Sequence, residues 1–184
     1  RRGMEFSEGD VFSQKKMEAA QSRIYRLEMF RYVDIRTGGL EKRPPVIPLK
    51  IEVAERELRA LNAGVGYGTE EKFRVRAEWT NRNFLGGARI LRAKVKHSSE
   101  LLPVSGELEM SQPFFLDDQN DLSLRTFFIW LDEPGYEVRR LGFETVLNRH
   151  LSRRNTLTIL SRTERDSVRV KSREESLDEL NDLY

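Results

Sequence analysis

The chain contains no cysteine, which excludes disulfides and thiolate metal sites. Only two of its 184 residues are histidine. His97 and His150 stand among Lys, Arg and Ser with no HExxH or other ligand spacing, so neither metal binding nor general-base work is expected of them. No apolar run approaches the ~20 residues that a membrane-spanning helix needs. That absence leaves a membrane β-barrel open, because barrel strands alternate and average out as polar. Net charge is nearly missing as well: 32 Lys and Arg against 30 Asp and Glu leave +2, which argues against a dedicated nucleic-acid binder. The opening Arg1-Arg2-Gly3-Met4 has neither an initiator Met nor an apolar signal region, and the chain reads as a piece of something longer.

What is present divides into three textures. The first is α+β. Phe12-Ser13 marks a helix start with Ser13 as N-cap, and Met17, Ala20, Ile24 and Leu27 follow as one apolar stripe. The main helix is expected over residues 13–29. Tyr32, Asp34 and Arg36 then alternate with Val33 and Ile35 at strand spacing. After Gly38-Gly39 and Pro44-Pro45, a second strand carries Ile47, Leu49, Ile51 and Val53 on one face. From about Leu58 the helical period vanishes, and alternating segments follow one another between turns at Gly68 to Glu71, Asn83 to Gly87, Ser98-Ser99, Asp117 to Asp121, Asp132 to Gly135 and Ser152 to Asn155. The spacing predicts about seven consecutive antiparallel strands in an up-and-down meander. The third texture is an acidic tail, with Leu177, Leu180 and Leu183 at the spacing of a short helix but the composition of a disordered end.

In several strands one face is Arg, Lys and Glu and the other aliphatic or aromatic. A soluble sandwich explains this with an apolar core, and a barrel explains it with an apolar lipid side and a charged, wet lumen. Strands of ten or more residues exceed the common soluble length. Aromatics near strand ends (Tyr67, Trp79, Phe84, Phe114, Phe115, Trp130, Tyr136) resemble interfacial girdles. From the residues alone, sandwich and barrel both stand.

Chemistry-bearing motifs are scarce. Gly64, Gly66 and Gly68 precede no helix and no P-loop Lys, and a strand that bends or packs closely accounts for them. No Ser-centred elbow occurs. Arg139-Arg140 and the run 149–154 are basic, but acidic residues are interspersed along the chain and no RNA- or zinc-finger signature accompanies them, so nucleic acid is not an expected partner. No catalytic residue, metal site or cofactor is expected.

Gly9-Asp10-Val11-Phe12-Ser13, the run from Arg26-Leu27-Glu28-Met29 through Phe30-Arg31-Tyr32-Val33-Asp34-Ile35, and Ile51-Glu52-Val53-Ala54-Glu55 together resemble the second half of a POTRA domain. Gly64-Val65-Gly66-Tyr67-Gly68-Thr69-Glu70 and the segment Glu78-Trp79-Thr80-Asn81-Arg82-Asn83-Phe84-Leu85-Gly86-Gly87-Ala88 resemble a first barrel hairpin and its following turn, and Gln112-Pro113-Phe114-Phe115 fits a later one. In order and spacing they resemble the outer-membrane β-barrel assembly superfamily, the BamA- and TamA-like proteins or bacterial surface antigen family, over most of residues 9–166. Four departures stand out. No Gly ends the helix near Leu27-Glu28-Met29-Phe30, the first POTRA strand and first helix are missing or truncated, no segment matches the Arg-containing motif of the inward-folded loop, and the strands fall short of even the smallest single-chain barrels of about eight.

The resemblance implies a division into residues 1–57 (C-terminal part of a POTRA domain), 58–170 (N-terminal strands of an outer-membrane barrel) and 171–184 (acidic tail). It implies a fold that is mainly β with a small α+β N-terminal part, an incomplete transmembrane meander in the bacterial outer membrane, and a periplasmic N-terminal part. The implied activity is non-catalytic assembly, insertion or translocation by strand templating. The implied partners are unfolded outer-membrane or secreted polypeptide clients, outer-membrane lipid, and periplasmic or inner-membrane accessory proteins. Candidate client-pairing residues are Leu61, Asn62, Ala63, Gly64, Val65, Gly66 and Tyr67; the candidate POTRA edge is Ile47, Leu49, Ile51 and Val53. The alternatives are a soluble β-rich binding module, or a plain outer-membrane barrel without assembly activity.

Overall fold

The computed structural model describes residues 9–38, 45–69, 71–152 and 154–171, the side chains of 101 and 102 excepted. The expected tail helix and most of the loop through Gly39 and Pro44 lie outside the described residues.

Helix α1 (Gln14–Arg26) forms where the apolar stripe places it, with Ala20 buried and Met17, Ile24 and Leu27 half-buried. Ser13 holds the N-cap position in extended conformation. Its carbonyl accepts the Met17 N–H at 3.1 Å, but its side chain makes no capping bond. At the other end, Glu28 takes the left-handed conformation (φ 54°) for which a glycine is usual, and its N–H bonds the Tyr25 carbonyl at 3.0 Å. The helix therefore stops without the expected Gly.

Strands β1 (Phe30–Thr37) and β2 (Leu49–Glu55) pair antiparallel, Val33 opposite Val53 and Ile35 opposite Ile51. The helix covers β1: Val33 and Ile35 are buried, while Ile51 and Val53 remain exposed. Ile47 falls just before the strand.

Seven strands follow in chain order, each antiparallel to the next: β3 (Arg59–Gly68), β4 (Lys72–Asn81), β5 (Ile90–Ser98), β6 (Leu101–Gln112), β7 (Asn120–Glu133), β8 (Tyr136–His150) and β9 (Thr156–Val170). They form one open sheet, and the N-terminal pair is a separate one. A sandwich needs two interleaved sheets, so the sequence alternation has its barrel-wall meaning. Connections at the end near the helix span 82–89, 113–119 and 151–155; those at the far end are only 69–71, 99–100 and 134–135.

The register fixes the two faces. Leu61, Ala63, Val65 and Tyr67 lie opposite Trp79, Ala77, Val75 and Phe73, whereas Asn62, Gly64 and Gly66 lie opposite Glu78, Arg76 and Arg74. Because the period of a strand is two, these sets occupy opposite sides of the sheet. Following the pairs across the wall puts Val95, Leu108, Phe128 and Leu141 on the first side, and Lys94, Glu107, Arg125 and Glu144 on the second. Among the described residues six apolar side chains are buried, three of them in the wall or its loops: Ala88, Ile90 and Phe127. So thin a core leaves the apolar side of the wall needing a nonaqueous neighbour.

Candidate client-pairing edge and luminal face

Strand β3 pairs with β4 on one side, and no described strand pairs with the other. Its outward side chains are very open, with Leu61, Val65 and Tyr67 each more than 70% exposed. On the opposite face, Gly64 and Gly66 are not empty space. A Cβ at Gly64 would lie 3.1 Å from Arg76 Nε, and one at Gly66 2.9 Å from Arg74 Nε. The two arginines of β4 lie flat over the glycines of β3. Leu61 to Tyr67 all lie on β3, whose far side pairs with no described strand.

On the charged face an ion-pair ladder runs strand by strand. Lys94 binds Glu107 at 3.1 Å, Glu107 binds Arg125 at 3.4 Å, Arg125 binds Glu144 at 2.9 Å, and Glu144 lies 3.9 Å from Arg162. Lys94, Glu107, Arg125 and Arg162 line a concavity of about 1000 Å³ with Phe127 among them. Phe127 is buried between the Arg125 and Arg162 guanidiniums, 5.5 and 4.9 Å from its ring centre. Its ring lies across Gly142, where an added Cβ would come within 2.2 Å of it. The sequence pattern marks this strand as aromatic-rich but not this close approach.

The helix grips the near rim of the wall. Arg23 meets Asp118 and Arg26 meets Asp121, both at 2.9 Å, and Arg26 stands 5.0 Å above the Phe114 ring. Phe114 has positive φ (55°), and its N–H reaches Asp121 at 3.2 Å. Glu28 bonds Arg92 of β5 at 2.8 Å. Sequence reasoning takes Asp117 to Asp121 for a polar turn only. The signal that could have linked them is the basic i, i+3 pair Arg23 and Arg26 matched to an acidic loop. His150 sits here too, against Asp121 at 2.9 Å, while His97 meets the Pro103 carbonyl.

On the N-terminal hairpin, Gln21 donates to the Val33 carbonyl at 2.8 Å, and the Tyr25 hydroxyl accepts the Val33 N–H at 3.1 Å. The free side of β1 is therefore occupied at its centre. By the alternation of antiparallel ladders, the backbone groups of Leu49, Ile51 and Val53 point away from β1, to the open side of β2. The solvent face of this hairpin carries Asp34 opposite Glu52 and Arg36 opposite Lys50. Arg36, hydrogen-bonded to Asp34 at 2.5 Å, holds that carboxyl below its ordinary value. Lys50, 2.7 Å from Glu52, does the same for Glu52.

No family model matches the chain. It is 34% identical over 85 residues, 46% of its length, to the outer membrane protein assembly factor BamA of Nitratidesulfovibrio vulgaris strain Hildenborough. In structure it is similar to the crystal structure of BamA from Haemophilus ducreyi lacking POTRA domains 1-3, with a TM-score of 0.64, 22% identity and 91% of this chain covered. The chain spans 11% of the first protein and 32% of the second. In sequence over nearly half its length and in fold over nearly all of it, this chain carries the likeness of the BamA- and TamA-like outer-membrane assembly superfamily.

Proposed function

We propose that the chain is the POTRA–barrel junction of an outer-membrane assembly or translocation factor that works by strand templating and without catalysis. Residues 1–57 are the end of a periplasmic POTRA domain, residues 58–170 the first strands of the barrel, and 171–184 a tail. The carrying observation is the open edge of β3, whose outward side is exposed and apolar while its inward side holds almost no side chain of its own. An unpaired edge offers N–H and C=O groups to an incoming strand. The glycines weaken the strand's packing and register, which suits successive clients. The open side of β2 at Leu49, Ile51 and Val53, with Ile47 just before it, offers a second, periplasmic edge. Clients are unfolded outer-membrane or secreted polypeptides, and accessory periplasmic or inner-membrane proteins complete the partner set.

A plain wall is the second reading, favoured by Arg74 and Arg76 lying in the space over Gly66 and Gly64. On that reading the glycines exist to seat arginines. A soluble β-rich module is the third, and it leaves the apolar outer face without a neighbour. Cysteine pairs separate the first two, one at Asn62 or Gly64 of the full-length protein and one in a client's terminal strand. Crosslinks that form during assembly and disappear with Gly64→Pro support templating. Folded barrel with no client crosslink reduces the protein to a wall.

A further inference from the structure

The outward face of β9 breaks the pattern of the wall. Near the rim it shows Leu157 and Ile159, but then Ser161, Thr163, Arg165, Ser167 and Arg169. The same face of β8 carries Arg139, opposite Ser167 and diagonal to Arg165, and the same face of β7 carries Trp130 opposite Arg139. Height explains where this patch lies. Arg165 is nine residues beyond Thr156, Trp130 ten beyond Asn120, and Arg139 eleven from His150, counting from the rim ends of their strands. At roughly 3.4 Å per residue and a tilt near 40°, these positions stand about 23–29 Å above the rim, against an apolar band of about 25 Å. The patch falls at the margin where hydrocarbon gives way to lipid headgroups.

The charges at that level do not cancel. Asp132 is paired with Lys171 at 2.6 Å and Arg139 with Glu137 at 2.6 Å through its Nε, so the uncompensated charge of the patch is that of Arg165. Arg165 is exposed and has no hydrogen-bond or ion-pair partner among the described residues. Arg139 lies 5.1 Å from the Trp130 ring centre, a cation–π stack that holds the guanidinium against an amphipathic aromatic of the interfacial type. Cationic groups at this depth attract anionic headgroups, and a guanidinium suits a phosphate in particular.

We propose that Arg139 and Arg165, with Trp130 beside them, form a binding site for the phosphate of an anionic membrane lipid on the outer surface of the wall. The site rests on the reading of the sheet as a membrane wall. The phosphate is held between the two guanidiniums, and Trp130 packs against the glycerol and upper acyl region. Such a lipid would seat this stretch of barrel at a fixed depth.

The test uses the full-length protein in phosphatidylcholine vesicles holding a minor share of phosphatidylglycerol. A photo-crosslinking amino acid replaces Ser167 or, as a mid-band control, Leu108, and adducts to each radiolabelled lipid are counted. At Ser167 the phosphatidylglycerol-to-phosphatidylcholine ratio should exceed the bulk ratio about fivefold, and at Leu108 it should match the bulk. The excess should vanish in Arg139→Gln/Arg165→Gln. Should that pair not insert, as read by heat-modifiable mobility, Arg165→Gln alone carries the test, since among the described residues it removes no hydrogen bond or ion pair. Adducts at both positions with no lipid preference, or a preference surviving the substitutions, overturn the site and leave the wall intact. Absence of lipid adducts even at Leu108 overturns both.

Discussion

Glu28 and Arg92, 64 residues apart in sequence, meet at 2.8 Å and fasten the end of the N-terminal helix to the inner side of the wall. The residue that makes the bond is the one whose left-handed backbone ends the helix. A glycine there would relax the backbone and lose the tie.

Glu28→Gly should therefore leave α1 formed but loosen its attachment. Both side chains are partly exposed, so a double-mutant cycle with Arg92→Ala should give a coupling of no more than about 1 kcal/mol. Protease cleavage between residues 27 and 60 should quicken in Glu28→Gly and in Arg92→Ala alike. A coupling of zero, with cleavage unchanged, would dismiss the tie.

Gly142 is irreplaceable as long as Phe127 keeps its place. Gly142→Val should destabilise the wall by about 1–3 kcal/mol through overpacking, measured as a lower unfolding midpoint. Adding Phe127→Leu should recover part of that loss, because the ring supplies the clash. No recovery would mean that the glycine is required for its backbone alone.

The facing of β4 is tested by exchange. Val75 looks outward and Arg74 inward across from Gly66. A charge at the bilayer midplane costs ~2–4 kcal/mol, whereas the lumen tolerates it. Val75→Arg should impair membrane insertion of the full-length protein far more than Arg74→Val, as read by membrane fractionation. Equal effects would reverse the assignment of faces.

Acid should loosen the β1–β2 hairpin. Asp34 and Glu52 both titrate below their ordinary values of 3.8 and 4.5 when folded, because of Arg36 and Lys50. The unfolded hairpin thus binds more protons in and below that range, and the stabilisation present above about pH 5 is lost as pH falls. Hydrogen exchange of the hairpin amides should accelerate at low pH, more weakly at high salt, and the acid effect should shrink in Asp34→Asn. A pH-independent exchange protection, after correction for intrinsic rates, would contradict the sign.

Much of the fold is legible in the residues because period two survives in strands such as β3, β4 and β5. Phe73 to Trp79 alternating with Arg74 to Glu78 fixes both a strand and its two sides. The stripe Met17, Ala20, Ile24 and Leu27 fixes the helix. What the residues conceal is partnership across distance. Nothing periodic connects Arg26 to Asp121, and nothing in a lone glycine at 142 announces a ring from another strand, because that contact exists only once the register is set. The helix end was concealed differently: a left-handed Glu is rare, and its stabilising partner lies on β5. The glycines at 64, 66 and 68 announce a strand that bends or packs closely, but not that Arg76 and Arg74 fill the space above the first two.

The Tyr25 hydroxyl and the Gln21 amide, resting on the Val33 peptide, make the N-terminal hairpin a counter that stops at one. A two-stranded ribbon bare on both flanks can recruit a neighbour on either side, and each recruit exposes a fresh flank for the next. Here one flank is occupied at its middle by the chain's own helix. Among the described residues the flank left bare is that of β2, so an extended peptide adding to the described hairpin is expected along β2, one per hairpin.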